Sequence, residues 1–113
     1  MKTLDEITQC DTYSIAATNT TYDIDLGGNA AVGIILNAMG TGINVRMRPG
    51  SSSATPVPVY SNASGTPTAI AVTTQSAYIP LDPQAMCGVR YLQIQLQAAQ
   101  SGAVTFTLAT RPV

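Results

Sequence analysis

The sequence predicts an all-β domain, an antiparallel sandwich of two sheets with jelly-roll or immunoglobulin-like topology. Apolar and polar residues alternate along about eight or nine short segments, at the roughly 8–12-residue spacing of a sandwich or closed barrel. Turns rich in Gly, Pro, Ser and Asn separate these segments. No amphipathic helical pattern lies between them, which parallel βαβ units would require.

A polar segment precedes the alternating strands. Residues 1–11 are polar and acidic and show no period of two, so we expect an extended N-terminal arm there. Residues 12–113 hold the alternation and are expected to form a single sandwich domain, in keeping with the length of the chain. Acidic residues occupy positions that are apolar in a signal peptide. We therefore expect the protein to be made in a cytoplasm and not to be exported by means of a signal peptide.

Strands in the first half are predicted from alternation. Residues 31–36 are continuously apolar, as in a strand that is covered on both faces. The inward-facing positions of the other three strands are expected to be Tyr13, Ile15 and Ala17; Tyr22, Ile24 and Leu26; and Ile43, Val45 and Met47.

The next segment is predicted to form an edge strand and a hairpin. Pro56 and Pro58 lack amide donors, so the strand that carries Val57 and Val59 should lie at the edge of a sheet. Residues 62–67 have the composition of a hairpin loop, and the chain is expected to return through a further short strand.

One helical turn and two strands complete the predicted domain. Asp82 is expected to cap a short helix that begins at Pro83 and ends before Gly88. The two strands that follow should bury Leu92, Ile94 and Leu96, and then Val104, Phe106 and Leu108.

The low charge of the chain excludes several classes of partner. Charged residues make up 10% of the sequence, against about 25% in an ordinary domain, and the net charge is −1. Five cations spread over the whole chain cannot form the basic stripe that follows nucleic-acid phosphates. No segment reaches the roughly 18 apolar residues of a membrane span. We therefore expect neither a nucleic-acid nor a membrane partner.

No catalytic or cofactor site is predicted. Without histidine, Ser-His-Asp and Cys-His arrangements are excluded, and zinc would depend on two isolated cysteines. Cys10 and Cys87 are expected to be free, partly buried thiols, with a disulfide as the alternative. We expect no enzyme activity, no cofactor and no metal.

Two pairs of charged residues are candidates for binding. Asp23 and Asp25 project from one strand face about 6.6 Å apart, within the range of about 5–9.5 Å that glycosidases use. We favour the interpretation that both acids are hydrated side chains on the outer face, because the chain has no Trp on which a sugar ring could stack. Arg46 and Arg48 also share a face. They serve either as a solubilising surface or as a grip on a partner subunit's acids, Asp23 and Asp25 of a neighbour included.

A row of amides completes the predicted interface. Gln93, Gln95 and Gln97 lack the charge that usually protects a sheet edge, so their strand is either central or covered by another subunit. The residues predicted for the interface are Asp23, Asp25, Arg46, Arg48, Gln93 and Gln95.

The second half of the chain, from Pro56 to the end, contains Pro-Val-Pro-Val-Tyr at 56–60, Gly-Thr-Pro at 65–67, Leu-Asp-Pro at 81–83, Gly-Val-Arg-Tyr-Leu-Gln-Ile at 88–94, Thr-Phe-Thr-Leu at 105–108 and Arg-Pro-Val at 111–113. By these elements, this half of the chain resembles small virion proteins of tailed bacteriophages. The resemblance implies a β-sandwich that decorates or cements a capsid, often as a trimer at a symmetry axis.

This resemblance implies a non-enzymatic virion structural protein that binds and stabilises the outer capsid shell. Its partners would be the major capsid protein or another virion protein, and further copies of itself, with a trimer favoured. It would be made in the host cytoplasm and located at the capsid surface. The alternative is a carbohydrate- or receptor-binding module of a phage fibre or tail, which would use Tyr60, Asn62 and Tyr78.

Overall fold

Two antiparallel sheets pack face to face in the computed structural model, which describes residues 9–16, 19–37, 41–61 and 65–112. The elements in chain order are β1 (Gln9–Ile15), β2 (Thr21–Asp25), β3 (Asn29–Leu36), β4 (Ile43–Met47), β5 (Val57–Pro58), β6 (Tyr60–Ser61), β7 (Thr68–Ala69), β8 (Ala71–Val72), β9 (Tyr78–Pro80), α1 (Pro83–Met86), β10 (Tyr91–Leu96) and β11 (Val104–Pro112). The predicted all-β antiparallel sandwich is confirmed.

The long strands alternate between the two sheets along the chain. Sheet A has the order β1-β11-β3-β9, and sheet B has the order β2-β10-β4, with β5 and β8 both paired to β4. The first four strands therefore lie in sheets A, B, A and B, and β9, β10 and β11 lie in A, B and A. Each long strand is paired with strands that are distant in sequence, such as β1 with β11.

The core forms where the apolar faces of the two sheets meet. The alternation predicted for β4, β10 and β11 is confirmed, because their apolar positions are buried, most of them fully, and only Met47 is partly exposed. Full burial of one such side chain contributes about 1.5–3 kcal/mol. The largest fully buried side chains are Phe106, Ile15, Ile34, Leu36, Ile43, Met86, Leu92, Ile94, Leu108 and Val45.

The edge of sheet B is interrupted by a hairpin. β5 and β8 both run along β4, and the chain between them leaves β4 to form the β6–β7 hairpin. The base of this hairpin is closed by Ile70 N donating to Val59 O at 2.8 Å, and both residues bond Val45 of β4. The predicted edge strand and hairpin are confirmed, although residues 62–64 of the predicted loop lie outside the described residues.

The short helix α1 has the predicted cap. Asp82 Oδ1 accepts a hydrogen bond from Gln84 N at 3.0 Å, and Pro83 occupies the first turn. The other carboxylate oxygen of Asp82 accepts a 2.6 Å hydrogen bond from Ser61 Oγ. One side chain therefore caps the helix and ties it to the hairpin.

Three expectations differ from the structure. β1 begins at Gln9, so residues 9–11 belong to sheet A rather than to the predicted arm, because they pair with β11. Residues 1–8 and Ala17 lie outside the described residues. The described residues form eleven strands instead of the expected eight or nine, since the hairpin divides one edge strand into short pieces. Cys10 and Cys87 are free thiols, but both are exposed rather than partly buried.

Candidate functional site

The six predicted interface residues lie together on the outer side of sheet B, which we call the charged face. Strand register brings them together, because Gln93 of β10 is paired with Asp23 of β2 on one side and with Arg46 of β4 on the other. The charged face consists of Asp23, Asp25, Asn44, Arg46, Arg48, Tyr91, Gln93 and Gln95.

The two acids of this face are paired within the chain. Arg48 approaches Asp23 with two nitrogens, at 3.1 and 3.4 Å, and Arg90 approaches Asp25 in the same way. The hydrogen bond from Arg90, joined by one from Gly27 N, holds the pKa of Asp25 below its usual value. A glycosidase needs one carboxyl whose pKa is raised so that it can donate a proton. The shift in the pKa of Asp25 has the opposite direction.

The two arginines also hold the segment that follows β4. Arg48 Nη1 donates to Ala54 O at 2.7 Å, and Arg46 Nη2 donates to Pro56 O at 2.9 Å. Arg48 therefore bridges a carboxylate of β2 and a carbonyl of the 49–56 segment. The proposed grip on the acids of a neighbouring subunit stays a prediction, since Asp23 is already bound by an arginine of its own chain.

The amide row lies in the middle of sheet B, because β10 pairs with β2 and with β4. Gln93 is 3% exposed and donates to Asp23 Oδ1 at 3.2 Å, while its Oε1 has no hydrogen-bond partner among the described residues. Asn44 links the other two amides, donating to Gln95 and accepting from Gln97 at 3.1 Å. The row is thus hydrogen-bonded within the sheet and does not form a sheet edge.

The outer side of sheet A has a different chemistry, and we call it the uncharged face. Its hydroxyl and amide groups bond one another: Thr12 Oγ1 lies 2.9 Å from Thr107 Oγ1, and Asn37 donates to Thr105 Oγ1 at 2.7 Å. Because these polar groups already have partners, covering them costs less than covering charges. We give this name to Cys10, Thr12, Ser14, Ile35, Asn37, Tyr78, Thr105 and Thr107; Arg111, four residues beyond Thr107 on β11, alternates onto the same side of the sheet and marks the limit of this face.

A groove of about 500 Å³ lies between the β6–β7 hairpin and the segment that contains β9 and α1. Apolar side chains from β8, β9 and the flanking residues line most of it, and the Ser61–Asp82 hydrogen bond lies at its polar side. The hydrogen bond from Ser61 lowers the pKa of Asp82, and the bond from Gln84 N acts in the same direction. Asp82 is therefore a structural acceptor that remains ionised.

Neither a metal cluster nor a membrane-spanning helix is found in the described part of the chain. There, no three side chains of the Cys, Asp or Glu type are grouped as metal ligands would be. Nor does any helix among residues 9–112, with their gaps, have the length and apolar character to cross a bilayer.

Several important contacts were not foreseen from the sequence. The partner of Asp25 is Arg90, which precedes β10 and is brought near because Tyr91 pairs with Asp25. The Thr12–Thr107 contact joins residues at opposite ends of the chain. Alternation along β1 and β11 predicts two polar faces, but it does not indicate that these strands are neighbours.

Comparison with known proteins shows a similarity of fold. No family model matches the chain, and no curated protein matches its sequence. Among solved structures, the crystal structure of the SPBc2 prophage-derived protein YomS is similar, with a TM-score of 0.53 and 10% sequence identity. The match covers 95% of this chain and 97% of that chain. At this identity the likeness shows that the two chains share a fold.

Proposed function

We propose that this protein is a non-enzymatic structural protein of a bacteriophage virion that binds and stabilises the outer capsid shell. The observation that carries the proposal is the uncharged face. It is a sheet surface whose Thr and Asn groups bond one another and which also presents Ile35 and Tyr78. Such a surface can be covered by another protein with little loss of hydration.

The fold supports the same proposal. The alternation of β1, β2, β3 and β4, and again of β9, β10 and β11, between the two sheets supports the jelly-roll form of sandwich that the sequence predicts. Viral capsid and lectin domains are among the proteins built on that pattern. The similar solved structure is described as prophage-derived, which favours a phage origin for this chain as well.

Stabilisation would follow from binding without any chemical step. A subunit that binds the assembled shell more tightly than the loose capsid protein raises the stability of the shell by mass action. A specific contact needs on the order of 1,000 Å² or more of total buried area. The uncharged face would supply this chain's part of that area, while the charged face would remain in solvent. The chain would act as a homo-oligomer, and the trimer that the resemblance implies stays a prediction.

Co-sedimentation with capsid shells tests this proposal. The probe is the shell assembled from the major capsid protein that the same phage genome encodes, mixed with the purified wild-type chain. We expect the chain to sediment with the shells and to raise the temperature at which they fall apart. Failure of the wild-type chain to sediment with intact shells would overturn the proposal.

Matched charge substitutions test which face binds. Thr107→Lys places a cation on the uncharged face, and Gln95→Lys places the same group on the charged face. We expect Thr107→Lys to weaken sedimentation at least tenfold and Gln95→Lys to leave it within twofold. Equal binding by both folded variants would show that the uncharged face is not the contact.

A carbohydrate- or receptor-binding module is the second candidate, favoured by two half-exposed aromatic rings. Tyr60, on the hairpin, is 54% exposed, and Tyr78, on β9, is 51% exposed; Asn62 lies outside the described residues. Exposed aromatic rings can stack on sugar rings. Titration with bacterial surface glycans, observed by tyrosine fluorescence, is expected to show saturable quenching that Tyr60→Ala removes. No change at millimolar glycan would exclude this candidate.

A further inference from the structure

The four edges of the two sheets differ in how well they are protected against pairing with another strand. Natural sheets protect their edges with charges, prolines, bulges or short strands. β2 has two carboxylates among its five residues, and β9 has three residues, of which the last is Pro80. The second edge of sheet B consists of β5 and β8, two residues each, divided by the hairpin. These three edges are therefore unfavourable sites for pairing with a strand of another chain.

The fourth edge, β1, has the fewest of these protections. It is seven residues long, Gln9–Ile15, without proline or lysine, and Asp11 is its one charged residue. Its first four residues are exposed, and Ser14 is exposed as well. Its register with β11 is continuous over all seven residues, so no bulge bends it away from a partner. β1 thus presents a straight, long and nearly uncharged edge.

We infer that β1 is an interface between two copies of this chain, which pair antiparallel at this edge and join their A sheets into one eight-stranded sheet. A second copy fits this edge because β1 offers its partner the same short polar side chains that it presents itself. Pairing would also make the two uncharged faces continuous. The inference concerns the purified chain alone and predicts a dimer in place of the trimer that the resemblance implies, whereas capsid binding by the uncharged face does not depend on it.

Charge and length select the register of this pairing. A two-fold axis at Thr12 pairs all seven residues, placing Thr12 opposite Thr12 and Cys10 opposite Ser14 of the second copy. An axis at Asp11 would place two carboxylates directly opposite each other, which is unfavourable in a sheet. An axis at Tyr13 would pair five residues instead of seven. The register centred on Thr12 is therefore favoured by both length and charge.

The first test is the mass of the wild-type chain in solution. We expect light scattering coupled to size exclusion to give twice the chain mass of 11.7 kDa, at low and at high salt. Thr12→Lys, which places two cations opposite each other, should give a monomer at the concentration where the wild type is dimeric. Thr21→Lys, on the edge strand β2, is the matched control and should remain dimeric. A monomeric or trimeric wild type would overturn the inference.

Disulfide trapping tests the register itself. Residues directly opposite each other in a sheet have Cα atoms about 4.5–5.5 Å apart, within the range of about 4.4–6.8 Å that a disulfide needs. In a Cys10→Ser, Cys87→Ser background, Thr12→Cys should therefore give a covalent dimer under copper-phenanthroline oxidation. Ser14→Cys in that background should not, because the two copies of residue 14 would lie roughly 13 Å apart.

Restoring Cys10 supplies a second measurement. With Cys10 restored and Cys87→Ser kept, Ser14→Cys faces Cys10 of the second copy, so this variant should become covalently dimeric, whereas the Cys87→Ser variant with Cys10 alone should not. Each cysteine variant is first checked by far-ultraviolet circular dichroism, so that a folding failure is recognised. Crosslinking that does not follow this pattern, in variants that retain the wild-type spectrum, would contradict the register.

Discussion

The ring of Tyr78, on the edge strand β9, occupies the space over Gly33 on the neighbouring strand β3. A Cβ on residue 33 would overlap the Tyr78 ring, and Tyr78 Oη donates a 3.4 Å hydrogen bond to Val32 O. The ring therefore covers the backbone at the position where β3 has no side chain. This contact explains how a tyrosine that is 51% exposed can still be held in place.

Gly33→Ala is expected to destabilise the protein by about 1–3 kcal/mol, because the added methyl group must displace the ring. The Gly33→Ala, Tyr78→Ala double variant should lose less than the sum of the two single losses, since the clash is then absent. Urea unfolding of the four proteins measures this coupling. Gly28→Ala is the control, because nothing lies near the added Cβ there. If the losses of unfolding free energy in the two single variants simply added up in the double variant, the contact between Gly33 and Tyr78 would be contradicted.

Phe106 is the centre of an aromatic cluster in the core. Its ring centroid lies 5.5 Å from that of Tyr13 and 6.1 Å from that of Tyr22, and Phe106 is fully buried. Phe106→Ala should lower the free energy of unfolding by about 3–5 kcal/mol, through lost burial and a cavity. Thr107→Ala, one residue further on the opposite face, should cost about 1 kcal/mol or less, for one hydroxyl contact. If the two variants lost similar amounts of unfolding free energy, the assignment of Phe106 to the core and of Thr107 to the opposite face would be contradicted.

Acid should weaken the contact between Asp82 and Ser61. The pKa of Asp82 is lowered in the folded protein, mainly by the hydrogen bond from Ser61. Its contribution to stability is therefore present above the unfolded pKa of about 3.9 and is lost as the pH falls through the lower folded pKa. We expect Asp82→Asn to lower the melting temperature at neutral pH, and the difference from the wild type to shrink in strong acid.

Thermal unfolding from about pH 6 to about pH 2 measures this dependence. Ser61→Ala should make the melting temperature less sensitive to acid, since it removes the main cause of the lowered pKa of Asp82. Ser101→Ala, in an exposed loop, is the control and should follow the wild type. If Asp82→Asn and the wild type differ by the same amount at every pH, the assignment of this contact is wrong.

The two arginine–aspartate pairs should contribute unequally to stability. Arg48 is 22% exposed and also bonds Ala54 O, whereas Arg90 is 60% exposed. Arg48→Ala should lower the free energy of unfolding on the order of 1–2 kcal/mol, because a partly buried carbonyl and Asp23 lose a charged donor. Arg90→Ala should give no measurable change, as exposed pairs contribute little. Chemical denaturation of both variants measures the two losses. A larger loss for Arg90→Ala than for Arg48→Ala would contradict this prediction.

Much of the fold could be predicted because the signals are local. Alternation along β10 identified Leu92, Ile94 and Leu96 as inward-facing, and these side chains are buried. The Asp-Pro sequence predicted the capped turn at α1, since capping depends on residues within one turn. The position of Gln93 could not be predicted, because the same alternation suits a central strand and an edge strand.

The sequence by itself therefore determined the long strands, most of their inward-facing positions, the proline-containing edge and the helix cap. Only the tertiary structure decided that Arg48 binds Asp23, that Thr12 lies beside Thr107 and that, among the described residues, β1 is an edge strand of sheet A. The physical reason is that a period of two depends on neighbouring residues along one strand. Pairing between strands depends on contacts between distant residues, such as β1 with β11, and these form only when both sheets close over the shared core.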